Sequence, residues 1–212
     1  MGEHDANHRF ADEATPEPDH IARARAHALE LGAAPISAAV GAQCALIAAS
    51  SRALNIVEIG TGGGVSGLWL LHGSPRATLT TIDNEPEHLG AARQAFAEAR
   101  IPAARARFIT GRASEVLPRM NEASYDIVLI DADPDGVLEY VEHGLRLARI
   151  GGTVLVPRVL RGGAVADPVR RDAVTTAYRS LIQETLASSA VIGALSIVGE
   201  SLLQLTTVGS DA

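Results

Sequence analysis

The chain has one cysteine, Cys44, in 212 residues. That excludes an internal disulfide and fits a reducing compartment. Aromatic residues are scarce, with three Phe, three Tyr and one Trp. An aromatic-walled pocket for a flat ring is therefore hard to assemble. The 18 Lys and Arg are outnumbered by 25 Asp and Glu, for a net charge of -7, which argues against a broad nucleic-acid surface. No apolar run is long enough to span a bilayer, and the first residues lack a basic-then-apolar signal pattern, so the expected location is the cytoplasm. The seven His and the single Cys show no metal-ligand spacing. No internal repeat is visible.

Apolar residues, by contrast, are plentiful. They make up 47% of the chain against 20% charged, enough to bury the core of one compact domain. Residues 1–18, rich in Asp, Glu, His and Pro, read as a disordered start, which leaves 19–212 as a single domain.

The pattern predicts helices over 19–31 and 37–50, with Asp19 and Ser37 as N-caps. Strands follow at 55–59, 78–83, 106–110, 125–131 and 152–156, each a short apolar run between turn residues. Helices over 65–72, 86–100, 112–120 and 135–148 alternate with them. Such alternation means right-handed crossovers and a parallel sheet covered on both faces. A helix at 171–187 and a hairpin of 190–197 with 201–207 close the chain.

The stretch Asn55 to Ser66 (NIVEIGTGGGVS) carries the most information, together with Thr81-Ile82-Asp83. A strand runs into a glycine turn and then a helix, and the next strand ends in a carboxylate. Glycine lets the backbone turn sharply and approach a ligand, and a carboxylate at that place can accept two ribose hydroxyls. A dinucleotide site would space its glycines as Gly-x-Gly-x-x-Gly around a pyrophosphate. Here Gly60, Gly62, Gly63 and Gly64 crowd together, and Glu58 would repel a pyrophosphate while suiting an ammonium or sulfonium. A nicotinamide-dependent reductase is thereby disfavoured.

The segment Val57 to Gly64 (VEIGTGGG) resembles the glycine signature of class I S-adenosylmethionine (SAM) methyltransferases. Taken with Pro35-Ile36-Ser37, Gly111 to Pro118 (GRASEVLP), Ile130 to Asp133 (IDAD) and Gly151 to Val156 (GGTVLV), the chain resembles catechol and caffeoyl-CoA type O-methyltransferases over residues 20–207. The resemblance implies a Rossmann-like α/β fold with a seven-stranded, mostly parallel sheet, an antiparallel final strand and helices on both faces. It also implies a homodimer. For the cofactor, it implies that Glu58 and the turn of Gly60, Thr61, Gly62 and Gly64 hold the methionine end of SAM. Ser66 would bind the SAM carboxylate, and Asp83 the ribose, with Asn84 beside it. Ala113 and Ser114 would meet the adenine, and Asp131 would lie near the methyl-sulfonium. Ser66 and Ser114 read equally as helix caps.

The substrate half departs from the family. The usual metal site uses the Asp ending strand four and an Asp-Asn pair after strand five. This chain keeps Asp131 but has Pro157 and Arg158 where the pair is expected. Proline offers no side-chain ligand and arginine no acceptor, so no catalytic metal is expected. The lysine often assigned as the base is replaced by Pro134. Asp131, Asp133 and Arg158 are the candidate catalytic residues. Arg158 either stands in for the missing cation, pairing with Asp131 or Asp133 and orienting an anionic substrate, or is a loop arginine that keeps its loop closed. The loop from Pro157 to Asp172 reads as a mobile lid or a plain surface crossover. Gly32 to Ala49 reads as a cover for the cofactor mouth or a packing surface for a second subunit, and Trp69 as packing beneath the glycine turn.

The expected activity is metal-independent methyl transfer from SAM to a small hydroxylated acceptor. The alternative is a SAM-binding sensor or interaction protein that has lost catalysis. Membranes are not expected as partners, and nucleic acid is disfavoured.

Overall fold

The computed structural model describes residues 3–209. Three helices come first: α1 (Glu3–Ala14), α2 (Asp19–Glu30) and α3 (Ala38–Ser50). Strands and helices then alternate as β1 (Asn55–Ile59), α4 (Val65–Gly73), β2 (Thr78–Asp83), α5 (Pro86–Glu98), β3 (Ala106–Thr110), α6 (Ala113–Val116), β4 (Tyr125–Ile130), α7 (Val137–Leu147) and β5 (Ala148–Pro157). The chain ends in α8 (Ala173–Ala187) and the hairpin of β6 (Val191–Ser196) and β7 (Leu202–Thr207).

The strands form one seven-stranded sheet in the order β3-β2-β1-β4-β5-β7-β6. β1 to β5 pair in parallel, and β7 runs antiparallel to both β5 and β6. The central strands are apolar on both faces because helices cover both. On one side Ile56, Leu79, Ile127 and Leu155 pack against α2 to α5. On the other, Val57, Val128, Val154 and Leu203 pack against α6 to α8. α3 and α4 approach closely: a Cβ on Gly41 would come within 2.3 Å of the Trp69 ring. Trp69 thus packs against α3.

Strand order reverses between β1 and β4, which opens a crevice at their carboxyl ends. Gly60 N donates to Ile82 O at 2.9 Å and Asp131 N to Ile59 O at 2.8 Å, tying the three strand ends together.

Several boundaries differ from expectation. Residues 3–14 are helical where an irregular start was predicted, and α1 is tied to the domain by Asp12 Oδ1, which accepts from Ala39 N at 3.2 Å. Pro18, not Asp19, is the N-cap of α2, and Asp19 sits in the first turn, where a carboxylate still favours the helix dipole. Ser37 caps α3 as predicted, accepting from Val40 N at 3.3 Å. The helix expected over 112–120 is α6 followed by a 3-10 turn, Leu117–Arg119, because Pro118 cannot donate within a longer helix. β5 begins at Ala148, which pairs with Tyr125 before a register shift, so α7 is shorter and β5 longer than predicted.

Candidate active site

A cavity of about 720 Å³ fills the crevice at the carboxyl edge. Its floor is the turn after β1. Gly60 has φ +91°, and a Cβ there would lie 2.0 Å from the Asp131 carbonyl, so only glycine lets β1 and β4 close at this point. Gly64, with φ +86°, turns the chain into α4.

Asp83 ends β2 and organises the turn. Its Oδ2 accepts from Thr61 N at 3.0 Å and Gly62 N at 2.9 Å, and its Oδ1 from Glu85 N at 2.9 Å. His88 Nδ1 lies 3.7 Å away. A carboxylate has about four acceptor positions, so room remains for a ligand hydroxyl. Gly60, Thr61, Gly62, Ser66, Asp83, Asn84, Ala113, Ser114 and Asp131 all line the cavity.

Glu58 and Gly64 are not among the lining residues. Glu58 is fully buried beneath the turn. Ser66 Oγ donates to its Oε1 at 2.6 Å and Thr81 Oγ1 to its Oε2 at 2.6 Å. Thr61 Oγ1 lies 2.5 Å from Thr81 Oγ1 and completes the chain of hydroxyls. Burial pushes the Glu58 carboxyl up to about 7, against the pull of the Ser66 and Thr81 hydrogen bonds. Its geometry is that of a brace inside the turn rather than a ligand contact. The Ser66 hydroxyl likewise faces Glu58, although the residue borders the cavity.

At the far end, Arg158 donates to Asp131 Oδ1 through one guanidinium nitrogen and to Ala34 O through another. The latter nitrogen is also 3.8 Å from Glu200 Oε1. Glu200 in turn accepts from Ser37 N at 3.0 Å. One arginine therefore joins the ends of β4 and β5, the segment before α3 and the β6–β7 turn. Its φ of +57° is unusual for a residue with a Cβ, and such backbone persists only where surrounding contacts hold it. Burial raises the Asp131 carboxyl above the ordinary carboxylate value, and Arg158 partly offsets this. Asp133 accepts from Tyr140 Oη at 2.8 Å and from Gly136 N at 3.1 Å. Burial, then the Asp133 hydrogen bond, holds the Tyr140 phenol well above its usual range.

A second cavity, of about 350 Å³, adjoins the first, sharing Asp131, Ala132, Asp133 and Arg158. Pro134, Val137, Pro157, Arg161, Tyr178 and Glu200 also line it. The arrangement has two compartments meeting at Asp131, one large enough for a nucleoside-sized ligand and one for a small molecule.

These residues do not fit a divalent-metal site of the kind the family uses. Pro157 has no side-chain ligand atom, and the Arg158 cation already sits on Asp131. Among the described residues no group of three or more His, Cys, Asp or Glu is placed to hold a metal ion.

Some wall residues were not legible beforehand. Of those bordering the large cavity, His88 is one, whereas the 32–36 segment, Gly111 and Arg112 lie in stretches that the sequence already singles out. His88 lies in the first turn of α5, five residues past Asp83, and that nearness is the signal it leaves in the sequence. Glu200 could not, being 163 positions from its partner Ser37.

Residues 57–156 match the family described as Methyltransferase domain. A Mycobacterium tuberculosis protein named Probable O-methyltransferase Rv1220c is 48% identical over 184 residues, covering 86% of this chain and 82% of that protein. Among solved structures, a Corynebacterium glutamicum protein superposes with a TM-score of 0.90 at 27% identity, over 99% of both chains. The O-methyltransferase TomG from Streptomyces achromogenes, in complex with SAM, superposes with a TM-score of 0.84 at 28% identity, over 99% of this chain and 100% of that one. With the mycobacterial identity extending over most of both proteins, the chain belongs to the O-methyltransferase family.

Proposed function

We propose that the protein transfers the methyl group of SAM to a hydroxyl of a small acceptor without a catalytic metal. The observation that carries this reading is the placement of Arg158 on Asp131, where two cavities meet. A guanidinium there supplies a fixed positive charge in the region where the family uses an ion.

The large cavity suits SAM in size and chemistry. Asp83, Asn84, Ala113 and Ser114 border it, which supports the reading of Asp83 as the acceptor of ribose hydroxyls and of the two α6 residues as the adenine side. The backbone of Gly60, Thr61 and Gly62, with Ser66, borders the methionine end. Glu58 and Gly64 act from below by fixing the turn. SAM, when bound, supplies an electrophilic methyl group for in-line displacement. The chain's own part is to hold donor and acceptor in line and to take up a proton. Asp131 is the nearer candidate base, since burial raises its proton affinity toward the useful range. Asp133, fixed by Tyr140, borders both cavities and orients the acceptor. With SAM held there, the acceptor oxygen would gain the methyl group as the S–C bond breaks and Asp131 would take up the hydroxyl proton, leaving S-adenosylhomocysteine (SAH) and a methyl ether. Arg158 steadies the charge on Asp131 before that transfer and that on the acceptor oxygen during it.

The protein is further proposed to be a cytoplasmic homodimer, which rests on the family resemblance and the lone reduced Cys44. A SAM-binding sensor without turnover is disfavoured by the second cavity, because a sensor has no need of an acceptor compartment at Asp131. Methyl transfer from labelled SAM to a panel of small phenols and hydroxy acids tests the reading. Transfer in EDTA is expected, and transfer only with added Mg²⁺ contradicts it.

A further inference from the structure

The two arginines of the small cavity are in different situations. Arg158 is occupied by Asp131, Glu200 and the Ala34 carbonyl. Arg161 enters no ion pair among the described residues. Its Nε is buried with no hydrogen-bond partner. A buried donor on a charged group costs more to leave unmade than a neutral one. The side chain is nevertheless held in place. Its guanidinium carbon stands 5.2 Å from the centre of the Tyr178 ring, a cation–π geometry. Its amide donates to Arg158 O at 2.8 Å, and its φ of +50° lies in the left-handed region. A strained backbone and a guanidinium held on Tyr178 together fix a cation with one unpartnered donor, Nε, at the wall of a cavity.

We propose that Arg161 recognises a carboxylate on the methyl acceptor, so that the substrate is a small hydroxy acid. Its carboxylate pairs with Arg161 while its hydroxyl lies toward Asp131 and Asp133. This rests on the proposed methyl transfer and adds the class of acceptor to it. The charge balance favours a monoanion held at Arg161 over a dianion. The wall carries three carboxylates, Asp131, Asp133 and Glu200, against two guanidiniums. Arg158 pairs with Asp131 and lies 3.8 Å from Glu200, and Asp133 is tied to Tyr140. A planar guanidinium with an unpartnered Nε then matches a carboxylate in shape and charge. A dianionic phosphate would meet more repulsion from Asp133 and Glu200. Size points the same way. An apolar cavity of about 150 Å³ takes a benzene ring, so about 350 Å³ has room for one substituted ring or its aliphatic equivalent.

The test compares matched acceptors with the full-length enzyme and SAM: 3-hydroxybenzoate against 3-hydroxybenzyl alcohol, and 3,4-dihydroxybenzoate against 3,4-dihydroxybenzyl alcohol. Wild type should favour the carboxylate of at least one pair by about tenfold or more in kcat/KM, mostly through KM, the size expected of one charge-assisted pair. In Arg161→Gln that ratio should fall to about one while SAH binding, read by calorimetry, stays unchanged. Arg161→Lys should restore part of it. Equal use of both members by wild type, an undiminished preference in Arg161→Gln, or no use of any of the four compounds by an enzyme that binds SAH would each overturn the assignment. Absence of SAH binding would instead reject the cofactor reading, and this inference with it. The wild-type preference requires no variant, so poor folding of Arg161→Gln leaves the test standing.

Discussion

Replacing Glu58 by Gln should change how stability depends on pH. The carboxyl is fully buried, and its acid constant moves from 4.5 in the unfolded chain to about 7 in the fold, chiefly through burial. Because the folded value is the higher one, folding favours the protonated form. Below pH 4.5 both states carry the proton, and the contribution is complete. Between 4.5 and 7 only the folded state keeps it, so rising pH lowers stability, and above 7 the loss is finished. At about 1.4 kcal/mol per pH unit, that interval corresponds to a loss of about 3 kcal/mol. Glutamine does not titrate, and it can donate to one of the Ser66 and Thr81 hydroxyls while accepting from the other. Urea unfolding of both proteins at pH 5 and pH 8 reads the effect, since other titrating groups cancel in the comparison. Relative to wild type, Glu58→Gln should gain about 2–3 kcal/mol between the two pH values. Parallel pH profiles would refute the reasoning and show that the two hydroxyls keep Glu58 ionised in the fold.

Three further outcomes are expected. Asp83→Ala should weaken SAH binding by about 1–3 kcal/mol, because charge-assisted hydrogen bonds are lost. Unchanged affinity by calorimetry would remove the proposed ribose site. Gly60→Ala should cost about 3 kcal/mol or more, or abolish folding, because the φ of +91° and a methyl 2.0 Å from the Asp131 carbonyl cannot both be relieved; thermal unfolding reads it. Arg158→Gln should lower kcat by about tenfold or more with the circular dichroism spectrum retained, the loss typical of one transition-state charge contact. A wild-type rate would reduce Arg158 to a strut between loops.

The α/β alternation was legible because parallel strands buried on both faces are continuous apolar runs, as in residues 55–59 and 125–130, separated by helix-length segments. The site's position followed from local signals too: the glycines after β1 and the carboxylate at the end of β2 lie within 30 residues of each other. What the residue pattern could not show is the direction a side chain takes. Glu58 has the place in the motif of a ligand contact, but its strand alternation turns it under the turn, where Ser66 and Thr81 meet it. Boundaries failed where tertiary pairing overrode local preference, as when Ala148 joined Tyr125 and shortened α7. The contacts of Arg158 with Ala34 and Glu200 span 124 and 42 positions of the chain and leave no periodic trace.

The central claim is that the cofactor site is complete without a metal, with Arg158 in the ion's region. Calorimetric titration of SAH into the purified protein, first in EDTA and then with Mg²⁺ in excess, tests it most directly. The account predicts binding of the same affinity in both conditions. Binding that appears only with Mg²⁺ would contradict it and require other oxygens to assemble a metal site around Asp131.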